Sequence, residues 1–152
     1  MELPELLEER RRWKAAGERV VFTNGCFDLL HPGHVLLLEA ARAAGEHLVV
    51  GINSDASVRE LKGPGRPIVS ATERSETLLA LEAVDRVIVY DGPTPLQVIS
   101  ALVPDILVKG ADWAEDKIVG ADVVRRAGGS VLRAPLCPGR STTSIVDKIR
   151  RS

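Results

Sequence analysis

The chain has no excess of charge of either sign: 20 lysines and arginines stand against 21 aspartates and glutamates, for a formal net charge of −1. A protein that tracks a nucleic-acid backbone needs a basic face that neutralises several phosphates, so nucleic acid is not an expected partner. The one dense charge run, Glu8-Glu9-Arg10-Arg11-Arg12, mixes signs and reads as a solvated helix face. Cysteine is scarce: Cys26 and Cys137 follow no metal-type spacing, which argues against a disulfide framework, suits a reducing compartment and leaves two expected free thiols. No apolar run approaches the roughly 18 residues of a membrane span. The acidic start Met1-Glu2-Leu3-Pro4-Glu5 has no apolar segment behind it that would make a leader. The expectation is a cytoplasmic protein with no membrane partner.

Carboxylates do not cluster in the way that builds an all-protein cage for a divalent cation, and beyond His31 and His34 the only histidine is His47, at the start of an apolar run. No protein metal site is therefore expected. What the chain does have is the composition of one ordinary globular domain, 45% hydrophobic and 27% charged over 152 residues. At that length a domain buries roughly two thirds of the surface its unfolded chain exposes, so its core needs no disulfide or structural metal.

Five short apolar runs punctuate the chain: Val20-Val21-Phe22, Leu48-Val49-Val50-Gly51-Ile52, Val87-Ile88-Val89-Tyr90, Ile106-Leu107-Val108 and Val131-Leu132. They are too continuous for strands with one wet face and predict strands buried on both sides. Helical patterns lie between and after them, at 34–44, 72–84, 95–102, 118–127 and 142–151. Ser70 or Thr72 supplies N-cap chemistry for the second, Pro95 suits a first turn, and Gly128-Gly129 can end the fourth. Residues 1–18 read as a leading helix with Leu3, Leu6, Leu7 and Trp13 on one side, and 19–152 as one domain without linker or repeat. Alternating β and α units with short connections imply an α/β fold with one doubly wound parallel sheet and helices on both faces. Ligands of such sheets bind beyond the carboxyl ends of the strands, where the segments 23–32 and 109–116 would converge.

The most informative stretch, Thr23-Asn24-Gly25-Cys26-Phe27-Asp28-Leu29-Leu30-His31-Pro32-Gly33-His34, leaves the first strand and enters the first of these helices. Pro32 fits a helix start and Gly33 lets a bulky ligand approach the backbone. His34 falls in or beside the first turn, where free N–H groups and the helix dipole favour a phosphate. The same pair of histidines could instead be a zinc half-site or two structural residues. Near the other end, Gly139-Arg140-Ser141-Thr142-Thr143-Ser144-Ile145 sets hydroxyls at a helix N-terminus beside the guanidinium fork of Arg140, which suits phosphate oxygens or a plain N-cap.

Together the two elements resemble the nucleotidylyltransferase superfamily marked by His-x-Gly-His and a Ser/Thr-rich start to the last helix. Further stretches, Gly51-Ile52-Asn53-Ser54-Asp55, Leu61-Lys62-Gly63-Pro64-Gly65-Arg66-Pro67-Ile68, Glu73-Arg74, Ala83-Val84-Asp85 and Val108-Lys109-Gly110-Ala111-Asp112-Trp113, are similar to the branch of adenylyltransferases that make ADP-heptose. That likeness runs from about residue 20 to 149. Lys109-Gly110-Ala111-Asp112 departs from it, since a second Gly or Asp often follows Lys-Gly there. The resemblance implies a Rossmann-like nucleotidyltransferase, ATP and a phosphorylated sugar as substrates, Mg²⁺ arriving with ATP, a homodimer, and a separate sugar kinase acting upstream. A cytidylyltransferase for glycerol 3-phosphate or an amino-alcohol phosphate, and a nucleotide-binding module without turnover, are the alternatives.

Carried over residue by residue, the resemblance implies that His31 and His34 stabilise phosphate charge and that Lys62 and Arg74 grip phosphate. Lys62 falls in a Gly/Pro-rich stretch suited to a mobile flap. Thr23, Asn24, Gly25 and Gly33 would line the approach of the triphosphate, with Phe27 and Asp28 shaping the floor. Phe27 reads equally as core, and Asp28 is the one weak candidate for a metal ligand. Lys109, Gly110 and Asp112 would stand beside the nucleotide, Asp112 and Trp113 helping to shape the base or ribose pocket, although Lys109 and Asp112 also suit a structural ion pair and Trp113 a surface plug. Arg140, Ser141, Thr142 and Thr143 would bind the triphosphate, and Asn53 and Asp55 would read the sugar hydroxyls.

Overall fold

Each apolar run forms a strand in the computed structural model, which describes residues 1–135 and 141–152. The strands are β1 (Val20–Gly25), β2 (His47–Asn53), β3 (Arg86–Tyr90), β4 (Ile106–Gly110) and β5 (Ser130–Ala134). All pair in parallel, in the order β3-β2-β1-β4-β5. The chain winds outward from β1 in one direction and then, through β4, in the other. β1 and β4 therefore flank the switch point, beyond whose carboxyl ends a doubly wound sheet binds its ligand.

Because side chains alternate along a strand, each inner strand feeds two cores. Val20 and Phe22 of β1, Val49 of β2 and Leu107 of β4 face one side, under α1 (Leu3–Ala15), α5 (Leu96–Leu102) and α6 (Ala121–Arg126). Val21, Leu48, Val50, Ile52 and Val108 face the other, under α2 (Pro32–Ala43) and α4 (Ala71–Leu79). Burial on both sides holds for β1 and β2 but not for the edge strand β5, where Ser130, Leu132 and Arg133 are exposed.

The helices start where their caps put them. Pro32 is the first residue of α2, and the Ser70 hydroxyl accepts the Glu73 amide at the start of α4, which leaves Thr72 inside that helix. α4 ends at Leu79, short of the expected 84, and the chain turns through 80–84 into β3. The helix expected from 118 begins only at Ala121, after a short 3₁₀ turn (Glu115–Lys117), because Gly120 adopts a left-handed φ of +86°. A Cβ on Gly120 would meet Ile99 at 2.8 Å, so both conformation and space demand glycine there. Pro95 sits at the N-cap of α5, one residue outside its first turn, and Gly128 (φ +91°) follows α6. α7 (Thr142–Arg151) has the expected bounds.

Two features depart from expectation. Residues 55–62 form a helix, α3 (Asp55–Lys62), capped by the Ser54 hydroxyl, which accepts the Ser57 amide. Arg10, in the charge run read as solvated, is buried: its guanidinium donates to the carbonyls of Leu102 and Val103 and pairs with Asp105 at 3.0 Å. With Leu6 fully buried beside α5, α1 packs on the domain rather than standing apart from it.

Gly51 lies where β2 passes beneath two rings. A Cβ there would meet Phe22 Cζ at 2.7 Å and Tyr90 Cε1 at 3.3 Å. Gly51→Ala is expected to lower stability by about 1–3 kcal/mol through overpacking, read from chemical denaturation midpoints at constant m.

Candidate active site

The loop after β1 turns sharply. Phe27 adopts a left-handed φ of 49°, a conformation that costs a non-glycine residue of order 1 kcal/mol or more and is retained where the surroundings enforce it. Its ring folds back over Gly25, where a Cβ would lie 2.9 Å from Phe27 Cε2, and rests against the His34 ring at a centroid distance of 5.0 Å. Phe27 is thus both core and wall. His31 is the N-cap of α2: its Nδ1 accepts the Gly33 amide at 3.1 Å, and its ring stacks on His34 at 3.7 Å.

His34 lies in the first turn of α2. Its Nδ1 is the one buried side-chain nitrogen or oxygen, among the described residues, without a hydrogen-bond partner. Burial, and next the neighbouring His31, push its pKa down to about 4 from the ordinary 6.5, so the imidazole is neutral at pH 7. The sign follows from linkage. A folded-state pKa below the unfolded value means that the unfolded chain takes up the proton first, so stability is full above about pH 6.5 and declines as pH falls toward 4. Thermal melts are expected to show an acid-side decline in that window, amounting to about 3 kcal/mol at its limit, and His34→Gln should flatten it.

Two adjoining cavities open beyond the carboxyl ends of the strands. The smaller, about 190 Å³, is lined by Asn24, Gly25, Phe27, His34, Gly110 and Asp112, among others. The larger, about 400 Å³, shares Asn24, Gly25, Cys26, Lys109 and Trp113 with it and adds Asn53, Lys62, Tyr90 and Thr94. Lys109 stands between them. Its Nζ lies 3.3 Å from the Asn24 carbonyl and 4.9 Å from the Trp113 ring centroid, the distance of a cation–π contact. Burial lowers the Lys109 pKa; Asp112 opposes that through its field without closing an ion pair. Trp113, half exposed, lines both cavities rather than plugging a surface.

Not every candidate reaches the cleft. The Thr23 hydroxyl is fully buried and donates to the Val108 carbonyl at 2.9 Å, tying β1 to β4 instead of lining the approach. Asp28 is buried too. Its carboxylate accepts the amides of Ile68 and Val69 and pairs with Arg66 at 2.7 Å. Burial alone would raise its pKa, but these donors outweigh it and hold the carboxyl below its usual range, so Asp28 is an ionised anchor for the segment after the Gly/Pro-rich loop rather than a metal ligand. Arg74 has a fully buried side chain: it donates to the carbonyls of Val69 and Cys26 and to Asp55 at 2.8 Å. It braces the His-x-Gly-His loop and does not touch the cleft. Asp55, occupied by Arg74 and the Ala71 amide, is drawn the same way.

Lys62 is the last residue of α3 and lines the larger cavity; the loop begins at Gly63, whose φ is +93°. Ser141 caps α7 by accepting the Ser144 amide at 3.0 Å, and Thr142 donates to the Leu29 carbonyl at 3.0 Å. The start of α7 is thereby fastened two residues before His31, with Thr143 in its first turn. Arg140 lies outside the described residues. Tyr90 and Ser57 went unnoticed in the sequence. The one available signal was the chain's only tyrosine, at the carboxyl end of a strand.

A five-stranded Rossmann-like sheet, with stacked histidines beside a cleft at its switch point and two lysines lining it, is the arrangement expected of a nucleotidyltransferase. A family model described as cytidylyltransferase-like matches residues 22–147, and the chain belongs to that family. It is 58% identical over 138 residues to the bifunctional protein HldE of Magnetococcus marinus, covering 91% of this chain and 28% of the relative. With the bifunctional protein HldE of Methylobacillus flagellatus it is 50% identical over 147 residues, covering 97% and 30%. The chain thus spans less than a third of the length of these relatives. Among solved structures, the lipopolysaccharide core biosynthesis protein from Thermoplasma volcanium superposes with a TM-score of 0.68 at 26% identity, covering 80% of this chain and 99% of that one. No helix among the described residues is long and apolar enough to cross a membrane.

Proposed function

We propose that the chain transfers AMP from ATP to a sugar 1-phosphate, D-glycero-β-D-manno-heptose 1-phosphate, giving ADP-heptose and pyrophosphate. The observation that carries the reading is the cleft itself, with the His34 imidazole lining one cavity, Lys62 the other and Lys109 both. The HldE relatives and the lipopolysaccharide core neighbour support the choice of substrate.

A sugar phosphate oxygen attacks the α-phosphorus in line, the new P–O bond forms, and the bond to the β-phosphate breaks with pyrophosphate as leaving group. A phosphate monoester, with a second pKa of about 6, is largely dianionic near neutrality and needs no general base. The protein's work is to position and to neutralise. His31 and His34 direct N–H groups at the phosphates, the backbone of Asn24 and Gly25 lines the triphosphate, and Gly33 keeps the start of α2 open to it. The N-termini of α2 and α7, with Ser141, Thr142, Thr143 and Arg140, favour the same anion. Lys109, Gly110 and Asp112 border the nucleotide. Lys62 holds the acceptor phosphate, while Arg74 and Asp28 act by positioning.

Mg²⁺ enters as part of the nucleotide substrate. The described residues gather no three His, Cys, Asp or Glu side chains able to hold it, and Asp28 is already engaged. We place the protein in the cytoplasm as a homodimer, its acceptor supplied by a sugar kinase activity. A light-scattering mass of one chain would refute the dimer. The substrate reading is tested by pyrophosphate release from ATP or CTP with heptose 1-phosphate, glycerol 3-phosphate and phosphoethanolamine. ATP with the heptose phosphate is expected to be fastest, and a clear CTP preference would overturn the assignment.

A further inference from the structure

The larger cavity is floored by a chain of hydrogen-bonded side chains, of which the reaction above uses only the Lys109 ammonium. Ser57 Oγ donates to the Gly92 carbonyl, which can only accept. Asn53 must therefore turn its Nδ2 toward Ser57, to which it donates at 3.0 Å, leaving Oδ1 to accept the Tyr90 hydroxyl at 3.2 Å. Tyr90 in turn accepts Asn24 Nδ2 at 3.2 Å, and Asn24 Oδ1 faces Lys109 Nζ at 3.5 Å, a group that can only donate. A carbonyl at one end and an ammonium at the other leave each member a single orientation. The members come from the carboxyl ends of β4, β1, β3 and β2 and from α3, so this polar floor is held by the sheet rather than by loops.

Fixed orientation has a chemical consequence. Each amide uses one N–H within the chain, and neither remaining N–H has a protein acceptor among the described residues. Asn24 and Asn53 both line the cavity, so it meets a ligand with neutral donors of set direction. Its lining, among the described residues, includes Lys62 and Lys109 and no carboxylate. Such a wall suits an anion carrying neutral hydroxyls and disfavours a cationic head group, which would meet like charge and find no counterion.

We propose that Asn24 and Asn53 are the specificity-determining residues of the acceptor site, reading hydroxyls of a neutral polyol phosphate whose phosphate lies toward Lys62. The inference rests on the reading of the acceptor as a phosphorylated sugar. It selects the polyol over the amino-alcohol phosphate as the class the site takes.

The test pairs binding with turnover. The chain, saturated with Mg²⁺ and a non-hydrolysable ATP analogue, is titrated calorimetrically with heptose 1-phosphate and with phosphocholine. Pyrophosphate release is then measured with ATP for the natural chain and for Asn53→Ala. Heptose phosphate is expected to bind at least about tenfold more tightly than phosphocholine, and Asn53→Ala to raise the acceptor KM about tenfold while the KM for ATP stays within about twofold. Equal or tighter binding of phosphocholine, or a rise of both KM values together, overturns the proposal. Should Asn53→Ala fail to fold, the ranking of the two ligands by the natural chain still decides. Selective binding without pyrophosphate release sinks the proposed reaction and leaves the acceptor site standing. Release with kinetics unchanged in Asn53→Ala does the reverse.

Discussion

His34→Ala is expected to lower kcat by about 10³-fold while leaving the fold intact. The magnitude is that of removing one preorganised donor from the charge that develops on transferring phosphoryl oxygens. The imidazole is suited to the task because it is neutral, its pKa pushed down to about 4, and because its buried Nδ1 has no hydrogen-bond partner among the described residues. A triphosphate arriving beside the ring supplies a negative charge, and an anion so close raises the imidazole pKa. In the variant no buried polar atom among the described residues loses a hydrogen-bond partner, so Tm should move by a few degrees at most. Single-turnover kinetics and a thermal melt on the same preparation read both quantities. A kcat within about tenfold of the natural chain would remove His34 from the chemistry.

Arg74→Met is expected to destabilise the chain by about 3 kcal/mol, a Tm decrease of about 6–12 °C at this size. The side chain is fully buried, and methionine comes near its length without its donors. The change leaves the Cys26 and Val69 carbonyls without their guanidinium and Asp55 without its counterion. Arg74→Lys should not rescue it, because an ammonium cannot reproduce a planar fork aimed at three acceptors. Since Cys26 lies in the His-x-Gly-His loop and Val69 follows the flap, catalysis should fall with stability, which would set Arg74 apart from His34. A Tm within about 2 °C of the natural chain would contradict the bracing role.

The contrast between these two residues shows what a sequence exposes. His34 was legible because its setting is local: strand, glycine, Pro32 at a helix start, and a histidine in the first turn. Arg74 was read as a phosphate ligand because its partners lie as far as 48 positions away, and no spacing rule announces a guanidinium turned inward. Arg10, bonded to carbonyls more than 90 positions on, was missed for the same reason. The sheet could be foreseen because the inner strands are apolar on both faces, while β5 was over-read because two apolar residues do not reveal an edge. α3 escaped because eight residues between Asn53-Ser54 and Gly63-Pro64 look like punctuation, and its helix is fixed by a cap and by contact with β2 rather than by periodicity. Tyr90 looked like the end of a buried strand, and only the paired register of β2 and β3 brings its hydroxyl to Asn53.

The most direct test of adenylyl transfer at this cleft is to follow the phosphorus. The chain is incubated with Mg²⁺, ATP and D-glycero-β-D-manno-heptose 1-phosphate and observed by ³¹P NMR. The account predicts that the ATP and sugar phosphate signals are replaced, in equal amounts, by two coupled diphosphate resonances of a nucleotide sugar and by pyrophosphate, with no such change in His34→Ala. Formation of ADP and inorganic phosphate, or an unchanged spectrum with the acceptor bound, would contradict it.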